Sequence, residues 1–173
     1  MEGEPKDLMV LNAIAKGYTT EEKIARATGL STFEVAMIIE RLLLNGLIYR
    51  REKKGFLGRR KIEVIMTEKG YKELDVRRHE LEQRWQRLVT LAEQGRRDEF
   101  EREAMGIRSW IPLMLFMGVM DVMMWMTMLN MMNLATQDLM PAGIPGGAGE
   151  AGGEHNGGDM GGEYGDMGFD VNI

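Results

Sequence analysis

The stretch that decides the fold runs from residue 19 to residue 48 and reads "TTEEKIARATGLSTFEVAMIIERLLLNGLI". Thr19 with Glu22 three residues later predicts a capping box at the start of a short helix. Ser31 with Glu34 predicts a second capping box, which opens a longer helix. A glycine lies between the two, where a tight turn is needed. Two helices joined in this way are typical of a helix-turn-helix motif.

The flanking sequence adds a helix before this motif and a hairpin after it. Upstream, "DLMVLNAIAKG" has apolar residues at helical spacing and predicts a helix that Gly17 ends. Downstream, two β-prone runs, residues 47–51 and 61–66, are joined by a glycine-containing loop, which predicts a β-hairpin. Thr67 then caps a further helix that begins "EKGYKEL".

This order of elements resembles the winged helix-turn-helix family of prokaryotic transcription regulators, of the MarR, ArsR and PadR kind. The resemblance covers residues 7–75 and is carried by "IARATGLS", "LLLNGLIYR" and "MTEKGYKEL". It implies that the second helix of the motif enters the major groove of DNA, while the hairpin wing touches the backbone or the minor groove. It also implies dimerisation through the helix after the wing.

Basic residues are concentrated on the hairpin and just before it. Against the single acid Glu52, the stretch holds eight bases: Arg41, Arg50, Arg51, Lys53, Lys54, Arg59, Arg60 and Lys61. Such a density of positive charge is what neutralisation of phosphates and release of counterions require. We therefore predict double-stranded DNA as the partner. The alternative is a solvated surface hairpin, which is common in charge-rich chains.

Charge divides the chain into two parts. All 22 Lys and Arg lie within residues 1–108, together with 19 of the 27 acids, so that part carries 22 − 19 = +3. The remainder has no Lys or Arg and 27 − 19 = 8 acids, which gives −8. Only the first part is suited to bind a polyanion.

The second helix of the motif is predicted to present Thr32, Met37 and Arg41 to the groove. Phe33 and Met37 are unusual readers of base edges, although an apolar side chain can contact the thymine methyl group. The sequence therefore leaves three interpretations open: DNA binding mainly through the backbone, RNA binding, or docking on a protein.

The helix after the wing, residues 71–94, has leucines at a spacing of seven. This pattern predicts that Leu81, Trp85 and Leu88 pair with a second copy of the chain. The alternative is that they pack on a later helix of the same chain.

A methionine-rich run, "MLFMGVMDVMMWMTMLNMM", occupies residues 114–132. Ser109 is predicted to cap one continuous helix through it, with Pro112 in the first turn. Because that helix would be apolar almost all round, it has to be covered on both sides. The favoured interpretation is a homodimer core with these seam residues: Met114, Asp121 and Met128 at one heptad position, Met117, Met124 and Met131 at the other.

Two other interpretations of the run stay open. Residues 110–134 are long enough to span a membrane, although Asp121 at the centre opposes insertion. Methionine side chains also repack around varied surfaces, so the run could form a groove for an apolar ligand or peptide.

The fold class predicted from these patterns is mainly α with a β-hairpin wing, followed by an α-helical hairpin or bundle extension and a disordered Gly-rich tail. The predicted boundaries are 1–75 for the winged helix-turn-helix domain, 76–136 for the helical dimerisation region and 137–173 for the tail. From Pro141 onward the chain is rich in glycine and acids and has little to bury, which predicts disorder.

Composition also limits the function. The chain has no cysteine, which favours a reducing cytoplasm and excludes a zinc–thiolate site. Its two histidines are far apart in sequence, so neither a metal cluster nor a catalytic triad is predicted. We expect no cofactor and no enzymatic activity. The predicted function is a homodimeric DNA-binding transcription regulator, with a protein- or RNA-binding adaptor as the alternative.

Overall fold

The computed structural model describes residues 5–54, 60–135 and 139–140. Within them the elements follow the order α1 (Pro5–Ala15), α2 (Glu21–Thr28), α3 (Thr32–Leu44), β1 (Ile48–Lys54), β2 (Arg60–Met66), α4 (Glu68–Glu93), α5 (Arg97–Gly106), a 3-10 turn (Arg108–Trp110), α6 (Ile111–Met117) and α7 (Val122–Met131). The predicted class, mainly α with a hairpin wing, is confirmed. The predicted disorder of the tail concerns residues that lie, apart from Leu139 and Met140, outside those described.

The turn between α2 and α3 forms as the sequence predicts. Gly29 ends α2 with φ 73°, a left-handed conformation that glycine adopts without strain. The Ser31 hydroxyl accepts a hydrogen bond from the Glu34 backbone N–H at 3.2 Å, and the Glu34 carboxylate accepts one from the Ser31 N–H at 3.0 Å. The second capping box is therefore confirmed.

The capping box predicted at Thr19 is wrong. The N-cap of α2 is Thr20, which makes no side-chain capping hydrogen bond. The carbonyl of Thr19 instead accepts the backbone N–H of Val64 at 2.9 Å. Because this bond ties Thr19 to β2, the helix begins one residue later than its sequence suggests.

The wing is an antiparallel hairpin in which Ile48 pairs with Met66 at its base and Lys54 with Arg60 at its far end. Ile48, Val64 and Met66 are buried and attach the base to the helices, whereas every other β1 residue is exposed. The loop that joins the strands, residues 55–59, lies outside the described residues.

The sequence "MTEKG" at the start of α4 holds the wing against the helix-turn-helix. Thr67 caps α4 by accepting the Gly70 N–H at 3.0 Å, as predicted, and its hydroxyl donates to the Leu47 carbonyl at 3.0 Å. A Cβ on Gly70 would lie 2.1 Å from that carbonyl oxygen. Only glycine permits this approach of α4 to the chain that enters the wing.

The single continuous helix predicted through the methionine run is wrong. Gly118 ends α6 with φ 71°, and α7 begins after Asp121, whose carboxylate accepts the Met124 N–H at 2.8 Å. Asp121 is therefore a capping residue rather than a polar residue inside a heptad seam. Pro112 does lie in the first turn of α6, but the 3-10 turn leads directly into that helix and Ser109 does not cap it.

The predicted dimer residues are mostly buried within one chain. Leu81, Trp85, Leu88, Met114, Met117 and Met128 belong to a single hydrophobic core that runs from Leu8 in α1 to Leu139. The same-chain packing alternative is therefore the one observed for these side chains. Of the predicted seam, Met124, Met131 and Asp121 remain exposed.

An aromatic cluster joins the methionine-rich helices to α4 and α5. The Trp125 ring is 1% exposed, and its centroid lies 6.2 Å from that of Trp85 and 5.9 Å from that of Phe100. The Trp125 indole N–H donates to the Leu139 carbonyl at 3.2 Å. The packed core thus extends past residue 136, the predicted end of the helical region.

Helix α6 also packs on the winged helix. The Lys16 ammonium group donates to the Phe116 carbonyl at 2.8 Å and lies 4.5 Å from the centroid of the Phe116 ring. Among the residues the structure describes, no helix combines the length and the apolar character that crossing a membrane would require.

Candidate nucleic-acid interface

The outward face of α3 follows from helical spacing. Positions 33, 37, 40 and 44 fall on one face of a helix. Phe33 is 74% exposed, Met37 52% and Leu44 88%, and Glu40 lies between the last two. We name Phe33, Met37 and Leu44 the α3 stripe. Phe33 and Met37 could be recognised from the sequence, but Leu44 was missed, although its spacing from Met37 was a signal.

Arg41 does not face a groove with Thr32 and Met37. Its Nε donates to Asp7 Oδ2 at 3.2 Å, and its Nη2 donates to Asp7 Oδ1. The Asp7 carboxylate, on α1, is only 6% exposed and therefore needs a charged partner. In this structure Arg41 therefore connects α3 to α1 through a partner 34 residues away in the sequence, a contact that helical spacing alone does not reveal.

Glu34 and Arg41 are seven residues apart and share the side of α3 that faces α1. The Glu34 carboxylate accepts a hydrogen bond from Lys6 at 2.8 Å and another from the Ser31 hydroxyl at 2.7 Å. These bonds, the Lys6 bond first, lower the pKa of Glu34 to about 2. Two ion pairs therefore fix α3 to α1 on one side and leave the stripe free on the other.

We expect Glu34→Gln to lower the melting temperature at neutral pH and to lose this effect in acid. Because folding lowers the pKa of Glu34, the stabilisation from its carboxylate is fully present above the ordinary value of 4.5 and disappears as the pH falls toward about 2. Thermal unfolding followed by circular dichroism over that range measures the difference.

The matched control is Glu21→Gln, since Glu21 is an exposed glutamate in the first turn of α2 and has no ion pair among the described residues. A Glu34→Gln difference that stayed constant down to the lowest pH would contradict the role given to the carboxylate.

At the base of the wing the positive charges are paired. Arg50 donates to the Glu40 carboxylate on α3, and Arg51 donates to Glu63 at 3.2 Å across the hairpin. The Arg51 hydrogen bond lowers the pKa of Glu63, whose side chain is 11% exposed. These arginines connect the wing to α3 and brace the hairpin.

At the far end of the wing the positive charges face one another. Lys53 lies opposite Lys61, and Lys54 lies opposite Arg60. Successive pairs along a hairpin point to opposite faces, so both faces carry bases there. In the described part of the chain, the acids near them are Glu52, 4.0 Å from Arg60, and Glu63, which is paired with Arg51 and also interacts electrostatically with Lys53 and Lys61. We name Lys53, Lys54, Arg60 and Lys61 the wing tip. Arg59 lies outside the described residues.

Like charges placed directly opposite one another destabilise a hairpin. Their repulsion is relieved when a polyanion binds, and release of counterions from the polyanion adds to the binding free energy. The wing tip is therefore suited to contact a phosphate backbone. The α3 stripe, in contrast, presents no hydrogen-bond donor to base edges.

No group of three His, Asp or Glu side chains within the described ranges could hold a metal ion. Comparison with curated proteins and with solved structures gave no match. A family model described as "wHTH-PRTase associated" matches residues 8–97, which is more than half of the chain. It confirms the winged helix-turn-helix domain, a fold that suggests nucleic-acid binding, and it extends past the end of α4 to the first residue of α5. It makes no assignment to the MarR, ArsR or PadR regulators.

Proposed function

Because the chain belongs to the wHTH-PRTase associated family, we propose that it is a DNA-binding winged-helix transcription regulator of the cytoplasm. The observation that supports this proposal is the charge of the wing tip, where basic residues face one another across the hairpin and few acids lie near them. In this proposal the wing tip grips the phosphate backbone, and Thr32 and Met37 approach the major groove.

Affinity in this proposal comes from charge more than from base readout. The α3 stripe offers the groove apolar side chains, of which Met37 can contact a thymine methyl group. Arg41 takes no part, because it is paired with Asp7. We therefore expect weak sequence preference and strong salt dependence.

The test is titration of a fluorescent DNA duplex with the full chain at increasing salt. Four phosphate contacts from the wing tip would give log K a slope of about −3.6 against log salt. Absence of binding at very low ionic strength would overturn the proposal, and binding unaffected by salt would do so as well.

We also propose that the regulator acts as a homodimer, because DNA-binding winged helices commonly use two half-sites. Half of the predicted seam is buried within the chain, but Met124 and Met131 are 41% and 60% exposed on the outer face of α7. Together with Met123, which is 72% exposed, they form a surface that we name the α7 methionine face.

We expect Met124→Glu with Met131→Glu to convert a dimer into a monomer, because the pair would put four like charges into the apolar contact between two copies. Light scattering behind size-exclusion chromatography measures the mass. Met105→Glu, a change at a methionine on α5 that is 49% exposed, is the control. A wild-type chain that is monomeric at high concentration would remove the homodimer from the proposal.

One observation favours a second candidate, a protein-binding adaptor: the exposed methionines of α7 offer an adaptable apolar surface to a client. The family description, which names a PRTase (a phosphoribosyltransferase) beside the winged helix, supports a protein partner of that class. In that case binding to the PRTase would persist in high salt and be lost in the Met124→Glu, Met131→Glu variant.

A further inference from the structure

Two helices carry clustered apolar side chains on their outer faces in the described part of the chain: α3 with its stripe, and α7 with its methionine face. The α3 stripe is the more exposed of the two, since Leu44 is 88% and Phe33 74% open to solvent. A run of this kind on one helix face indicates an interaction site.

The two faces differ in the charge around them. Arg50 pairs with Glu40 in the middle of the α3 stripe, and it lies in β1, the strand that leads to the bases of the wing tip. Past Arg108 the chain has no Lys or Arg, so α7 itself contributes no positive charge. An acidic partner with apolar side chains is therefore attracted to α3 and its wing.

The chain contains a segment with that chemistry. Residues 163–170 read "EYGDMGFD" and combine three acids with three large apolar side chains, Tyr164, Met167 and Phe169. The whole stretch 141–173 has six acids and no Lys or Arg. Elsewhere in that stretch large side chains are sparse, so this segment is its strongest candidate for docking on an apolar surface.

The segment can reach α3 in the same chain. Met140 is the last described residue, and 23 residues lie between it and Tyr164. An extended chain of that length spans up to about 80 Å. A compact body of the described size has a radius of gyration of only about 14 Å, so every part of its surface is within reach.

We propose that the α3 stripe is the docking site of the acidic segment 163–170 of the same chain. Tyr164, Met167 and Phe169 cover the stripe, and the three acids of the segment face the wing tip. Glu40 does not oppose this arrangement strongly, because Arg50 already neutralises it. The docked segment covers the helix that the proposed function directs into DNA, but the proposal does not depend on DNA binding.

The chain has no cysteine, so a Gly161→Cys variant of the full chain can carry one nitroxide spin label two residues before the segment. The methionine methyl groups are isotope-labelled for NMR. We expect the nitroxide to broaden the Met37 methyl signal strongly and the Met123 methyl signal little. High salt is expected to weaken the effect, because part of the attraction is electrostatic.

Two variants test the contact itself. Phe33→Ser with Leu44→Ser removes exposed side chains and should leave the fold intact, and it is expected to abolish the broadening at Met37. Met123→Ser is the matched control and should leave the broadening unchanged. A second sample detects docking between copies. It mixes spin-labelled chains that carry no isotope with isotope-labelled chains that carry no spin label.

Unbroadened Met37, or equal broadening at Met37 and Met123, would overturn the proposal. Broadening of the Met37 signal in the mixed sample would also overturn it, since the occupant would then be a second copy. None of these measurements includes DNA, so their failure is distinguishable from failure of the DNA-binding proposal.

Discussion

Replacing Lys54, Arg60 and Lys61 together by glutamine is expected to weaken binding to a DNA duplex roughly 100-fold at about 0.15 M salt. Each base that neutralises a phosphate contributes about 0.9 to the salt slope of log K, so the slope is expected to fall by about 2.7. These side chains are exposed, and Lys54 and Arg60 repel each other across the hairpin, so their loss should not unfold the wing.

The matched control replaces Arg84, Arg102 and Arg108 by glutamine. These three arginines are also exposed, and they lie on α4, α5 and the 3-10 turn rather than on the wing. Their replacement removes the same net charge as replacement of the three wing-tip residues. This control should lower the affinity only slightly. An equal loss of affinity in both triple variants would mean that the wing tip has no special part in binding and that net charge alone decides it.

Trp125→Ala is expected to destabilise the protein by about 3–5 kcal/mol, the range for large-to-small changes in a packed core. Trp125 is 1% exposed and contacts the rings of Trp85 and Phe100, so its removal leaves a cavity between α7, α4 and α5. It also leaves the Leu139 carbonyl without the indole donor. Thermal unfolding should occur roughly 10–20 °C lower.

Met123→Ala provides the comparison, because Met123 lies two residues away on α7 and is 72% exposed. Its effect should stay within about 0.5 kcal/mol. Since the described core is one cluster from Leu8 to Leu139, we also expect a single unfolding transition in which the winged helix and the methionine-rich helices melt together. Two separate transitions, or a Trp125→Ala variant as stable as the wild type, would contradict this packing.

The helix-turn-helix could be predicted because its signals act over three or four residues. The Ser31–Glu34 capping box, the turn at Gly29 and the Thr67 cap all form as predicted. Thr19 and Glu22 have the same spacing, but their predicted capping box does not form, because the Thr19 carbonyl accepts a hydrogen bond from the Val64 N–H, 45 residues later. A local pattern therefore predicts an element only where no distant partner competes for the same residue.

The methionine run shows a different limit. A helix through this run would be apolar on nearly every face. The sequence therefore has no alternation of polar and apolar residues whose interruption would reveal the break between α6 and α7. Gly118 followed by Asp121 was the available signal, since together they end one helix and cap the next. Which methionines become buried depended on how α6 and α7 fold back on α1 and α4, and that is not encoded in spacing.

For the candidate nucleic-acid interface, too, one part could be predicted from the sequence and another part depended on the folded structure. The density of positive charge on the hairpin is a property of the sequence, and it was enough to predict a polyanion partner. Pairing then selects among the bases, because Glu63 and Glu40 engage Arg51 and Arg50 at the base of the wing, while the wing tip is left with little acid around it.

By itself, the sequence determined the order of helices and strands as far as α4, the turn of the motif and the positive charge of the wing, because hydrogen bonds and side-chain repulsions between near neighbours govern these features. Tertiary structure alone decided that Arg41 pairs with Asp7 and that the methionine-rich helices complete the core of one chain. The reason is physical: burial and ion pairing depend on partners brought together only when the chain has folded.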